Sequence, residues 1–200
     1  MRRQEWIRQG SIFLFFVLAF SLPESDLVAQ EVAISRASAP VVIDGRIGEE
    51  EWAGAGSITS FTQLQPVVGD GATQRTIIHV LYDDRMVYFG IDSRDTYPGE
   101  ISRTVTRRDG EVWEDDAVAL ILDTFDDDNN AYVFMVNSLG TQQDERWADN
   151  GRTRDVKWDA NWQSAGAIGA EGWTAEVAIP FEAVRFDRRT DRWGFNAIRY

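Results

Sequence analysis

Thr76 to Tyr82 (TIIHVLY) and Met86 to Asp92 (MVYFGID) are β-branched and aromatic runs parted only by Asp83, Asp84 and Arg85. Two such runs across so short a polar gap can hardly form anything but a tight hairpin, and this constrains the fold more than any other feature. Ala117 to Asp123 (AVALILD) and Ala131 to Asn137 (AYVFMVN) repeat the arrangement. From Trp173 to Pro180, Trp173, Ala175, Val177 and Ile179 face one way, while Thr174 and Glu176 face the other. Trp193 to Tyr200 (WGFNAIRY) reads as a further strand, and the sequence stops in it. No segment beyond residue 29 sustains a period of 3.6; only Phe181 to Val184 suggests a helical turn. The expectation is an all-β chain: one antiparallel β-sandwich, immunoglobulin or jelly-roll-like, over residues 30–200.

Residues 1–29 have the layout of a signal peptide. Arg2, Arg3 and Arg8 precede the unbroken apolar run Ile12 to Phe20, and Leu27-Val28-Ala29 offers a cleavage site before Gln30. The apolar run falls short of the roughly 20 residues that span a bilayer. The expected destination is therefore outside the cytoplasm, in the periplasm, at the outer membrane or secreted. Cysteine is absent, which excludes disulfides, thiolate metal sites and cysteine nucleophiles. Export without disulfides suits a bacterial periplasm or exterior. The formal charge of −13 repels phosphate backbones, so no nucleic acid partner is expected.

The acidic stretch DTFDDDNN between the second pair of strands raises the question of calcium. Asp126, Asp128 and Asn130 match the alternating ligand positions of an EF-hand-like loop. Its sixth position, where glycine is needed, is Ala131, and its twelfth, where a bidentate glutamate is needed, is Asn137. Aspartate and asparagine are also the ordinary residues of turns. The solvated hairpin turn is preferred, with a weak Ca2+ site built with a neighbouring loop left open; no other cofactor is expected. Glu114, Asp115, Asp116, Asp123 and Glu176 supply carboxylates for glycoside hydrolysis in principle, but pairs arise by chance in so acidic a chain. The single histidine, His79, lies in an alternating strand and makes a poor base or zinc ligand. Haem ligation by His79, Met86 or Met135 is no better supported. The domain is read as non-catalytic.

Seven of the eight tryptophans lie beyond the signal segment. Trp52, Trp173 and Trp193 sit in strand-like or strongly patterned contexts and are read as core. Trp113, Trp147, Trp158 and Trp162 stand among polar residues, and these four are the candidates for an exposed aromatic face that could stack on a sugar.

The ordered segments VVIDGRIGEEEW (41–52), VLYDDRMVYFGIDSRD (80–95), WEDDAVALILDTF (113–125), YVFMVNSLGTQQD (132–144), WDANW (158–162), GWTAEVAIPFEAVRF (172–186) and WGFN (193–196) resemble the family 9 carbohydrate-binding module. They are most similar to the module-9-like domain that opens long exported bacterial proteins, in which a β-rich, outer-membrane barrel-like region follows. The resemblance implies that Trp113 is a sugar-stacking residue, with Glu114 beside it. It also shows losses. The family's sugar-binding glutamate corresponds to Ala119, its arginine to Met135, and its second stacking tryptophan has no counterpart up to Tyr200. Two functions follow as expectations. One is an exported carbohydrate-binding domain for polysaccharide binding and catabolism, accessory to a glycoside hydrolase. The other is a structural or interaction domain at the N-terminus of an outer-membrane assembly that binds no sugar. On either, the domain is cut short at Tyr200 and a β-rich region of the same polypeptide follows.

Overall fold

The computed structural model describes residues 31–200; the segment read as a signal peptide lies outside the described residues. Among the described residues, eleven strands form two sheets. They are β1 (Ser35–Arg36), β2 (Gly56–Ile58), β3 (Thr76–Tyr82), β4 (Met86–Arg94), β5 (Ala117–Asp123), β6 (Ala131–Asn137), β7 (Gln142–Ala148), β8 (Thr153–Asp155), β9 (Gln163–Gly169), β10 (Gly172–Pro180) and β11 (Gly194–Arg199). The first sheet runs β1-β3-β4-β10-β9, with β2 also on β3; the second runs β11-β5-β6-β7-β8. Every pairing is antiparallel except the two-residue β1 beside β3. Among the described residues there is no α-helix, only 3-10 turns at Pro98–Glu100, Val112–Glu114 and Phe181–Ala183. The all-β sandwich expected from the sequence is the fold.

Strand alternation supplies the core between the sheets. Ile78 and Val80 of β3, Val87, Phe89 and Ile91 of β4, and Trp173, Ala175, Val177 and Ile179 of β10 meet Val118, Leu120, Leu122, Phe134 and Val136 of the second sheet. Trp193, one of the three tryptophans read as core, packs at its margin against Phe181 and Phe186.

The outward faces are not simply solvated, and this is where the sequence reading falls short. On the first sheet, the segment from Ala37 to Ala55 lies over Leu81, Tyr88 and Ala178, with Trp52 as its anchor. Gly90 leaves room for the indole: a Cβ on it would meet the Trp52 ring at 3.1 Å, a tight contact that the ring would have to yield to. Glu176, expected on the polar face, is fully buried under this cover. It accepts hydrogen bonds from Trp52 Nε1 and from the backbone N–H of Asp44 and Gly45, each at 2.9 Å. On the second sheet, β5 and β6 are buried on both faces, which is why they read as nearly continuous apolar runs rather than as alternating ones.

Candidate functional site

The outer face of the second sheet carries the residues that sequence reasoning singled out. Antiparallel register sets Ile198, Ala119, Met135 and Gln143 in one row across β11, β5, β6 and β7, and Asn196, Ile121, Val133 and Glu145 in the next. Trp147 and Arg154 continue the same face onto β7 and β8. Ala117, Ala119, Val133 and Met135 form a fully buried apolar floor, packed with Val112 and against Val105, Ile121, Trp147 and Ile198. The 3-10 turn Val112–Glu114 therefore sits on this face by its Val112 side chain. Trp113, 42% exposed, and Glu114, also exposed, are held out on the same turn.

A chain of hydrogen bonds links that turn to the far edge of the sheet. The Val112 N–H donates to Gln143 Oε1 at 2.9 Å, and Gln143 Nε2 donates to Glu145 Oε1 at 3.0 Å. Glu145 is only 1% exposed. It also accepts from Trp147 Nε1 at 2.8 Å, Arg154 Nε at 2.8 Å and Arg154 Nη2 at 2.7 Å. The Arg154 guanidinium carbon lies 5.2 Å from the centroid of the Trp147 ring. The Tyr200 phenol is raised from its ordinary value by burial, with Arg154 lowering it and Glu145 raising it further, so it shares the field of that ion pair. Gln143, Glu145 and Arg154 were not legible as site residues from the sequence. Their only signal is their same-face placement, which needs the register of two polar strands.

The loop that presents the turn is fastened by Asp115, which is buried. Its Oδ1 accepts from Ser102 Oγ, Thr104 N–H and Thr104 Oγ1, and its Oδ2 from Val105 N–H and Asn137 Nδ2. Burial opposes ionisation, but the Thr104 and Val105 N–H groups and the Ser102 and Thr104 hydroxyls outweigh it and hold the carboxyl at about 2. Asp116 Oδ2 takes the Ser102 N–H at 2.7 Å. Both carboxylates thus act on backbone and side chains of their own domain. Glu176 lies on the other sheet, where it accepts from the Trp52 indole and the Asp44 and Gly45 N–H groups.

The four candidate tryptophans divide. Trp113 is exposed. Trp147 is half-buried, with Arg154 over its ring and its N–H on Glu145. Trp158 is half-buried and packs on Tyr132 and Phe134. Trp162 is a correction: it is 4% exposed, edge-on to Phe134, and its N–H donates to the buried Asp144 at 2.9 Å, so it is a core residue with no ring face for a ligand. Its polar neighbours Asp159 and Asn161 are exposed, and they disguise a tryptophan that points inward.

In the acidic hairpin, Asp126 and Asp128 occupy left-handed backbone at φ 53° each. The carboxylates that organise the loop are Asp123, which accepts from the N–H groups of Phe125, Asp127 and Asp128, and Asp127, which accepts from those of Asn129 and Asn130. Among the described residues no group of three or more His, Asp or Glu side chains gathers as a metal site. Of the haem candidates, His79 and Met86 belong to the first sheet and Met135 to the second.

The sequence model described as "Carbohydrate family 9 binding domain-like" matches residues 43–200. The chain belongs to this family. A search of curated proteins finds no match. Among solved structures, the family 9 domain is similar to a candidate carbohydrate-binding protein from Bacteroides uniformis, with 14% identity, a TM-score of 0.56, and 75% of this chain covering 72% of that one. It is also similar to a family 9 carbohydrate-binding module from Caldicellulosiruptor kristjanssonii in complex with cellotriose, with 14% identity, a TM-score of 0.50, and coverage of 82% and 74%. At such identities the likeness is one of fold. Within that fold, the family 9 domain described here has Ala119 and Met135 buried where the resemblance places polar sugar contacts.

Proposed function

We propose that this chain is an exported carbohydrate-binding domain that attaches its protein to a polysaccharide or oligosaccharide through the outer face of the second sheet. Trp113 carries the reading. It is an exposed tryptophan on a turn whose backbone is fixed by Val112 beneath and Gln143 beside it. A rigid aromatic plane facing solvent is what stacking on the C–H face of a sugar ring requires. Glu114 next to it offers acceptor oxygens for hydroxyl groups. Membership of the family and the cellotriose complex of the related module support the reading. Export rests on the apolar segment Ile12 to Phe20, and service to a glycoside hydrolase or to polysaccharide catabolism on the family resemblance.

The test is retention on insoluble xylan, cellulose and chitin, with soluble oligosaccharides in competition. Trp113→Ala abolishes retention and leaves circular dichroism unchanged. Absence of retention by the unaltered chain on every one of these ligands removes the reading.

A second reading, an interaction domain of an outer-membrane assembly, has one specific observation in its favour. Ala119 and Met135 close the sheet face with apolar side chains where sugar-binding members are polar. Co-purification of the chain with an outer-membrane protein, without any sugar binding, is the result that selects it.

A further inference from the structure

On the carbohydrate reading of this face, the floor offers a sugar little: Ala119, Val133 and Met135 are covered by their neighbours. Polar contacts must come from the rim. We propose that Arg154 is a ligand-contacting residue of this face, that Glu145 is its positioning residue, and that the saccharide it takes is uncharged.

Glu145 accepts four hydrogen bonds, from Gln143 Nε2, Trp147 Nε1, Arg154 Nε and Arg154 Nη2. With its lone pairs so used and its surface buried, it has nothing to present to a ligand. What it does is fix the guanidinium. Two bonds from one fork to one carboxylate set the plane of Arg154, and the guanidinium lies over the Trp147 ring. A guanidinium has five N–H donors. Two of Arg154's are committed, while Nη1 has no partner among the described residues, and the side chain is 47% exposed. An arginine pinned at one edge and open at the other is preorganised to donate to outside oxygens, because it loses little side-chain freedom on binding.

The same pairing selects the class of ligand. Glu145 cancels the charge of Arg154 locally, Glu114 stands exposed on the Val112–Glu114 turn, and the chain as a whole carries −13. A uronate or other acidic sugar meets repulsion that the paired arginine does not offset. Hydroxyl oxygens of a neutral sugar need donors rather than net positive charge, and Nη1 supplies them. The Gln143 bridge between Glu145 and the Val112 N–H further couples the arginine's position to the turn that carries Trp113.

Calorimetric titration of the purified chain with cellotriose, xylotriose and tri-galacturonate tests this. Arg154→Gln is expected to weaken binding of the neutral trisaccharides by about tenfold, in the range of an interface anchor, and Arg154→Lys to restore part of it. Because Arg154→Gln strands a buried carboxylate, the double variant Glu145→Gln with Arg154→Gln is measured as well. It keeps the unaltered chain's melting temperature to within a few degrees and shows the same loss of binding. If the unaltered chain binds a neutral trisaccharide and the double variant binds it equally well, Arg154 is not a contact. Tighter binding of tri-galacturonate than of either neutral sugar overturns the ligand class. If the unaltered chain binds none of the three, the carbohydrate reading itself fails, and this inference with it.

Discussion

Trp52 and Glu176 are joined by a hydrogen bond of 2.9 Å across 124 residues of sequence. The bond fastens the segment from Ala37 to Ala55 onto the first sheet, because the same carboxylate also takes the N–H groups of Asp44 and Gly45. It explains why VVIDGRIGEEEW and GWTAEVAIP occur in one chain: one supplies the donors and the other the acceptor.

Removing that acceptor leaves the Trp52 indole N–H and the Gly45 N–H unsatisfied in a buried site, while the Asp44 N–H keeps its bond to the Val42 carbonyl at 3.1 Å. Glu176→Ala is expected to cost about 3 kcal/mol, the range for a broken buried polar network. Trp52→Phe, which leaves Glu176 its two backbone donors, should cost less. The measurement is chemical denaturation of the three proteins. Equal midpoints for Glu176→Ala and the unaltered chain contradict the assignment.

Asp115 gives a pH dependence whose sign is set by its depressed carboxyl. Held at about 2 in the folded protein, it ionises more readily there than in the unfolded chain. Its stabilising contribution is therefore fully present above the unfolded value near 4 and is lost as pH falls toward about 2. Asp115→Asn should flatten the melting temperature between those limits. Burial raises the carboxyls of Glu176 and Asp144 against their hydrogen bonds, and each acts with the opposite sign, costing stability as pH rises through its folded value. A variant lacking Asp115 that still loses stability as steeply below pH 4 would show that other carboxylates set the acid limb.

The acidic hairpin is expected to respond weakly to calcium. Asp123 and Asp127 spend their oxygens on backbone N–H groups, an arrangement that shapes the turn without an ion. Millimolar calcium should move the melting temperature by less than about 1 °C, since linked stabilisation grows only as concentration exceeds the dissociation constant. Asp123→Ala should lower it with or without calcium. A large shift with calcium that Asp128→Ala abolishes would establish a site at Asp126, Asp128 and Asn130.

Strands with apolar alternation or continuous apolar runs were legible residue by residue, because burial of one or both faces writes itself into β3, β4, β5, β6 and β10. β7, β8 and β9 were not. β7 (QQDERWA) turns Gln143 and Glu145 to one face and Asp144 to the other. Gln143 and Asp144 bond to Val112, Ala160 and Trp162, and Glu145 to Gln143, Trp147 and Arg154, so all three are buried or half-buried polar residues and no apolar alternation marks the strand. β9 (QSAGAIG) is small-residue rich because loops press on it: Gly45 and Gly140, both at positive φ, approach Gly166 so closely that a Cβ on either would meet its backbone at 2.7 Å. The candidate site was half legible for the same reason. Trp113 shows itself as an aromatic in a polar stretch, whereas Glu145 and Arg154 become neighbours only through the pairing of β7 with β8.

Trp113 and Trp162 make the sharpest contrast, since the sequence offers both as tryptophans among acidic and amide residues and the structure separates them. Trp162 is buried against Phe134, donates to Asp144, and has the Arg108 guanidinium carbon 5.9 Å from its ring centroid. Deleting its ring opens a cavity and strips Asp144 of a donor. Trp162→Ala should therefore cost roughly 3–5 kcal/mol, as large-to-small changes of buried aromatics do. Trp113, 42% exposed, has less packing to lose, so Trp113→Ala should cost far less, about 1 kcal/mol. Urea denaturation read by far-ultraviolet circular dichroism measures both. Sugar retention should rank the other way: lost in Trp113→Ala, and preserved in Trp162→Phe, which keeps the edge-on contact with Phe134. A Trp113→Ala variant as unstable as Trp162→Ala would make Trp113 a packing residue and leave the outer face without its stacking platform.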